Sequence, residues 1–195
     1  MSKINLIAIG SSTGGTEALS KVIPKLIPPL PPILIVQHIP PKFSKSLADR
    51  LDKESLLTVK EAEHGELVRK NYAYIAPGGL HMNLCRNREG KLQIRCFIAP
   101  PVHSCRPAVD ILFKSVAELA GGESLGVILT GIGHDGAEGL LEMKQKGSPT
   151  LGQDEATSVV YGMPKSAFDI GAVDIQIPID TMALAIMNTI KKFNS

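Results

Sequence analysis

With 195 residues, 44% of them hydrophobic, the chain is long enough to bury one full globular core. A net charge of +2, scattered basic residues, 4% aromatics and no Trp argue against a nucleic-acid surface built on a basic stripe or on stacking rings. No apolar run approaches the ~20 residues of a membrane span, and the opening Met-Ser-Lys leads into a strand without the pattern of a secretory leader.

The first apolar run, residues 6–9, stops at Gly10 and is followed by Ser11, Ser12, Thr13, Gly14 and Gly15. Ala18, Leu19, Val22 and Ile23 then share one helical face, so the segment reads as strand, tight turn and helix. The prolines between 28 and 32 end that helix and lead into a second strand at 33–36, an unbroken Ile-Leu-Ile-Val run of the kind buried on both faces of a parallel sheet. It ends in Gln37-His38-Ile39-Pro40-Pro41, and Phe43, Leu47, Ala48 and Leu51 mark the apolar face of a helix over 43–54.

Residues 57–99 break into four short strand-like runs separated by turns such as Pro77-Gly78-Gly79, which predicts an insertion rich in β-hairpins. A helix is expected over 109–120, opened by Pro107 and ended by Gly121-Gly122. A third apolar strand, 125–129, runs into Thr130-Gly131-Ile132-Gly133-His134-Asp135-Gly136 and a helix over 137–146. Further strands are expected at 150–153 and 173–177, and helices at 163–169 and 180–193, the last capped by Asp180. Buried strands alternating with helices predict a doubly wound α/β fold: a mostly parallel sheet flanked by helices, in a single domain covering 1–195.

In such sheets ligands gather at the carboxyl ends of the strands. Three apolar strands here end in Ser12, His38 and Asp135, the residue types of a nucleophile, a general base and an orienting acid. Gly10-Ser11-Ser12-Thr13-Gly14 fits G-x-S-x-G, in which a sharp strand-to-helix turn lifts the central serine above the sheet edge. The backbone N–H groups of Thr13 and Ile132 are placed to serve as oxyanion donors. Other readings stand beside these. Asp135 could be the N-cap of the helix after Gly136, and His134 could be its neighbour or a rival base. His81 and His103 lie in loops that could border the cleft, whereas His64 falls in an exposed acidic turn. Neither G-x-G-x-x-G nor a P-loop lysine is present, which leaves anion or partner binding without catalysis as the non-enzymatic alternative. Cys85, Cys96 and Cys105 are odd in number and lack metal-ligand spacing, as expected of free thiols in a reducing cytoplasm.

The stretches IAIGSSTGGTEAL, IVQHIPPKFSKSLADRL, EAEHGE, AYIAPGGLHM, RPAVDILFKSVA, GVILTGIGHDGAEGL and QDEATSVVYGMPKSAF run in order over nearly the whole chain. Together they resemble the catalytic domain of the chemotaxis protein-glutamate methylesterase (CheB) family. The resemblance implies a cytoplasmic serine hydrolase that removes methyl esters from glutamates on the cytoplasmic helices of chemoreceptors, releasing methanol, and that deamidates certain receptor glutamines. It implies Ser12 as nucleophile, His38 as base, Asp135 as orienting acid, and Thr13 and Ile132 at the oxyanion site, with no cofactor and no metal. Members commonly carry an N-terminal receiver domain. This sequence opens on the esterase, so phospho-control in cis is not expected, and a separate regulatory or receiver protein becomes a candidate partner. Many members also have a histidine where this chain has Cys105, with His103 two residues earlier. A same-fold esterase acting on another protein is the nearest alternative.

Overall fold

The computed structural model describes residues 2–195. Its centre is a seven-stranded, wholly parallel sheet built from β1 (Leu6–Ser11), β2 (Ile33–Gln37), β3 (Thr58–Glu61), β4 (Tyr72–Ile75), β7 (Ser124–Ile128), β8 (Thr150–Gln153) and β9 (Ile175–Ile177). The order across the sheet is β3-β4-β2-β1-β7-β8-β9. The apolar runs are buried because each strand alternates between two cores. Ile7 and Ile9 of β1, with Ile33 and Ile35 of β2, face one core, while Leu6, Ala8, Leu34 and Val36 face the other.

The first core is covered by α1 (Gly15–Val22), α2 (Phe43–Glu54) and α6 (Ile179–Asn194) through Leu19, Val22, Leu47, Leu51, Met182 and Ile186. The second is covered by α3 (Val109–Leu119), α4 (Ala137–Gln145) and α5 (Met163–Asp169), centred on Leu112, Phe113, Val116, Leu140 and Met163. An antiparallel pair, β5 (His81–Arg86) and β6 (Leu92–Phe97), forms a separate hairpin whose Met82, Leu84 and Ile94 join that second core. The doubly wound α/β reading therefore holds. The chain leaves β1 to one side for β2 and returns on its other side as β7, so the sheet's topological switch lies at the carboxyl end of β1.

Local differences have physical causes. Of the four strand-like runs in 57–99, only the last two make a hairpin. The first two become β3 and β4, whose register pairs Val59 with Ala73 in parallel. The first helix stops at Val22 because Pro24 tightens the chain into a 3₁₀ turn, before the prolines at 28–32 are reached. Phe43 is 62% exposed although it shares the helical phase of Leu47 and Leu51. As the first residue of α2 it sits on the strand-end rim rather than over the core. Pro178, not Asp180, occupies the N-cap position of α6. Asp180 falls in the first turn, 3.7 Å from the Lys21 ammonium.

Candidate active site

β1 and β2 are paired so that Ser11 lies opposite Gln37. Ser12 and His38, the next residue on each strand, therefore leave the sheet edge side by side, at the ~4.8 Å spacing of neighbouring strands. The turn at Ser12 is tight. Ser12 N–H donates to the Thr130 carbonyl at 2.9 Å, and the Ser12 carbonyl accepts the Gly15 N–H at 2.7 Å. Gly14 adopts φ +78, and a Cβ there would lie 2.5 Å from Val159 Cβ. A side chain at Gly10 would run into Val109. The obstacles on both flanks are valine side chains. Among the described residues the N–H groups of Thr13 and Ile132 donate no hydrogen bond within the chain. Both residues are exposed, Ile132 by 64%.

His38 and Asp135 are brought into direct contact, with His38 Nε2 2.6 Å from Asp135 Oδ2. Asp135 is buried, and its carboxylate also accepts the N–H groups of Val109 at 2.7 Å and Asp110 at 2.9 Å. These are the first two residues of α3, so the carboxylate caps α3 rather than the helix that follows it in sequence. Burial pushes the Asp135 carboxyl up. The hydrogen bond from His38 and those from the Asp110 and Val109 N–H groups outweigh burial and hold it below the ordinary carboxylate range. The carboxylate thus stays ionised and selects the tautomer of the His38 imidazole in which Nε2 carries the hydrogen and Nδ1 the lone pair. Nδ1 lies 3.5 Å from the Cys105 sulfur. Burial, and then the nearby Asp135 charge, push the Cys105 thiol up, so it is an S–H group at neutral pH. Ser12 Oγ makes no hydrogen bond to His38 among the described residues; the dyad is formed and the serine stands next to it.

Three polar residues that the sequence did not single out hold these turns together. Gln37 is buried beneath both. Its Nε2 donates to the Ser12 carbonyl at 2.8 Å and the His38 carbonyl at 3.0 Å, and its Oε1 accepts from the Ser11 hydroxyl. Thr130 Oγ1 donates to the Thr13 carbonyl at 2.9 Å, and Gln153 Oε1 accepts the Thr130 N–H at 2.8 Å. The available signal was a glutamine ending a buried strand, because a buried amide must find partners for all its polar atoms. Gly131 has a steric role as well, since a Cβ there would lie 2.7 Å from Ser12 Cβ and overlap Met163.

The other histidines are spread out. His81 is buried at the start of β5 and reaches the Pro100 carbonyl at 2.9 Å, and His64 lies on the surface against the Cys96 carbonyl at 3.0 Å. His103 pairs with Asp110 at 2.8 Å and stacks edge-on against His134. Two groups have side-chain atoms close enough to share an ion, His38, Cys105 and Asp135, and His103, Asp110 and Asp135, each within 4.8 Å. The three cysteines are free thiols.

The sequence and the fold have known counterparts. The family model for CheB methylesterase matches residues 7–186. The chain belongs to the CheB methylesterase family. A crystal structure of the Thermotoga maritima CheB methylesterase catalytic domain superposes with a TM-score of 0.92 at 40% identity, covering 96% of this chain and 99% of that one. A protein-glutamate methylesterase/protein-glutamine glutaminase from Photorhabdus laumondii is 55% identical over 174 residues, 89% of this chain and 49% of the relative. A relative of the same name, numbered 1, from Burkholderia pseudomallei is 50% identical over 182 residues, 93% of this chain and 50% of the relative. The chain thus spans about half the length of the curated relatives it matches. Among the described residues no helix is long and apolar enough to cross a membrane.

Proposed function

We propose that this chain is a serine hydrolase that removes methyl esters from glutamate side chains of a folded protein and deamidates glutamines at equivalent positions, with chemoreceptor helices as the substrate in bacterial chemotaxis. The observation that carries this reading is the His38–Asp135 contact of 2.6 Å at the strand edge where the Ser12 turn begins.

In the proposed reaction His38 Nδ1 takes the Ser12 hydroxyl proton, and Cys105 gives up that nitrogen as the serine turns toward it. Ser12 Oγ attacks the ester carbonyl, and the oxyanion forms between the unpaired N–H groups of Thr13 and Ile132. His38 then gives that proton to the leaving methoxy oxygen or amide nitrogen as its bond to carbon breaks, releasing methanol or ammonia, and water hydrolyses the acyl-serine by the same steps in reverse order. Asp135 stays ionised and stabilises the imidazolium. The open rim suits a side chain offered by a protein surface. Ile132 and Val159 are exposed beside the serine turn, and a groove of about 260 Å³ opens past His38 between Ile39, Phe43, Thr16 and Arg50.

Residues 1–195 would then act as one catalytic unit in the cytoplasm, without cofactor or membrane insertion, its activity set by a separate regulatory or receiver protein or by segments present in its longer relatives. The test is methanol release from methylated receptor fragments by the wild type and by Ser12→Ala. Release by the wild type alone establishes the esterase and its nucleophile. No release, with Ser12 still labelled by a fluorophosphonate, points to a different ester substrate. Neither release nor labelling supports the non-catalytic binding domain.

A further inference from the structure

Beside the proposed triad lies a second imidazole–carboxylate pair that the ester chemistry does not use. Val102 and Cys105 close a tight turn with reciprocal backbone hydrogen bonds of 3.0 and 2.8 Å. Its two central residues, His103 and Ser104, have φ of +49 and +61, a conformation that disfavours side chains. The turn holds His103 Nε2 2.8 Å from Oδ2 of Asp110. Asp110 is itself buried, and its Oδ1 accepts the Gly139 N–H at 2.8 Å. The contact selects the imidazole tautomer in which Nε2 carries the hydrogen and Nδ1 of His103 keeps a lone pair. The exposed His134 ring comes from the loop between β7 and α4, with its centroid 4.4 Å from that of His103 at an interplanar angle of 70°. Among the described residues neither His103 Nδ1 nor either ring nitrogen of His134 has a hydrogen-bond partner. The Glu138 carboxylate, at the start of α4, is engaged by the Lys114 ammonium at 3.0 Å.

We propose that His103 and His134 form a binding site for a divalent transition-metal ion of the zinc, nickel or copper class, with Asp110 orienting His103 and water completing the shell. Imidazole nitrogen is the ligand such ions prefer over hard cations. A carboxylate behind a ligating histidine fixes its tautomer and raises its basicity. Two imidazoles on one tetrahedral ion, with metal–nitrogen distances of about 2.0–2.1 Å, have centroids about 5 Å apart. The observed centroid separation is close to that value, and the exposed His134 ring must turn from its edge-on contact for its nitrogen and His103 Nδ1 to meet on one ion. The carboxylate oxygens nearby are less available. Those of Asp135 already accept from His38, Val109 and Asp110, and those of Asp110 from His103 and Gly139. An ion on the two imidazoles leaves all of these bonds in place and clips the 102–105 turn to the loop that carries Asp135. The proposal does not depend on the esterase reading, because binding is read directly.

The test is to strip the intact chain with a chelator and titrate it with zinc against a chromophoric competitor, then to repeat with cobalt, whose visible absorption reports imidazole ligation. Wild type is expected to take one equivalent at micromolar concentration and to melt at a higher temperature when loaded. His103→Ala and His134→Ala should each bind at least tenfold more weakly, and neither loaded variant should melt higher. Asp110→Asn, which removes no ligand, should weaken binding about 10–100-fold. Equal affinity in wild type and both histidine variants, or no binding below millimolar zinc, would overturn the proposal. So would a loss of binding in Cys105→Ser with the histidine variants unaffected, since the ion would then sit on the thiol.

Discussion

Two histidine–aspartate pairs flank the start of α3, and they differ where it matters. In both, a buried carboxylate takes a ring nitrogen, at 2.6 Å in His38–Asp135 and 2.8 Å in His103–Asp110. Both carboxylates also take backbone N–H groups, Asp135 from Val109 and Asp110, and Asp110 from Gly139. What separates them is the second nitrogen. His38 is 13% exposed, and its Nδ1 faces Cys105 beside the Ser12 turn. The His103 side chain is 24% exposed, and its ring meets His134 and solvent. A buried dyad is therefore no sign of catalysis by itself. The base in the proposed reaction is the one that leaves the sheet edge beside the serine turn, with its free nitrogen held by a thiol that can yield it.

The sharpest way to break this comparison is to remove each imidazole in turn. His38→Ala should lower methanol release by about 10⁶-fold, as Ser12→Ala should, because members of a triad act as a unit. His103→Ala should stay within about twofold of wild type in metal-free buffer. Equal losses at the two positions would mean that the wrong pair has been assigned. Asp135→Asn keeps the shape of the acid but leaves His38 in the wrong tautomer, with an expected loss of about 10⁴-fold. Gly131→Ala comes next. Its added methyl must push Ser12 or Met163 aside, and a displacement of that kind is worth about 10²-fold in turnover at little cost in melting temperature. Wild-type rates in that variant would show that the serine position is tolerant.

The smallest effect is one of stability. The folded Asp135 carboxyl titrates below its unfolded value of about 3.9. Its ionised contacts therefore stabilise the fold fully above that pH, and the contribution is lost as pH falls through the lower folded value. Urea midpoints of wild type and Asp135→Asn should thus keep a constant gap above about pH 5 and converge as pH is lowered from there past about 3.9. A gap that stays constant below about pH 5 as well would show that the charge contributes nothing.

Ser12, His38 and Asp135 were legible because each follows an unbroken apolar run, and runs of that kind become central parallel strands whose ends converge. The capping role of Asp135 was not legible. Its partners Val109 and Asp110 lie 26 and 25 residues away, and no local pattern links a loop to the start of a different helix. β3 and β4 were read as hairpin strands because they are short and flanked by turn residues. Parallel pairing depends on a neighbour that the sequence does not place beside them. Gln37 looked like the end of a strand rather than the clamp of two turns, since its partners on the Ser12 side come from the other strand.

Val109 occupies a position whose consequence reaches past this chain. A Cβ at Gly10, where β1 ends, or at Gly136, where α4 is about to begin, would collide with the Val109 side chain, while its N–H is held by Asp135. One valine thus sets the distance between the serine turn and the acid loop. Anyone grafting this candidate site onto a new scaffold would have to carry over the first turn of α3 with the three strand ends. The pentapeptide around Ser12, transplanted alone, would leave behind the ruler against which the site is measured.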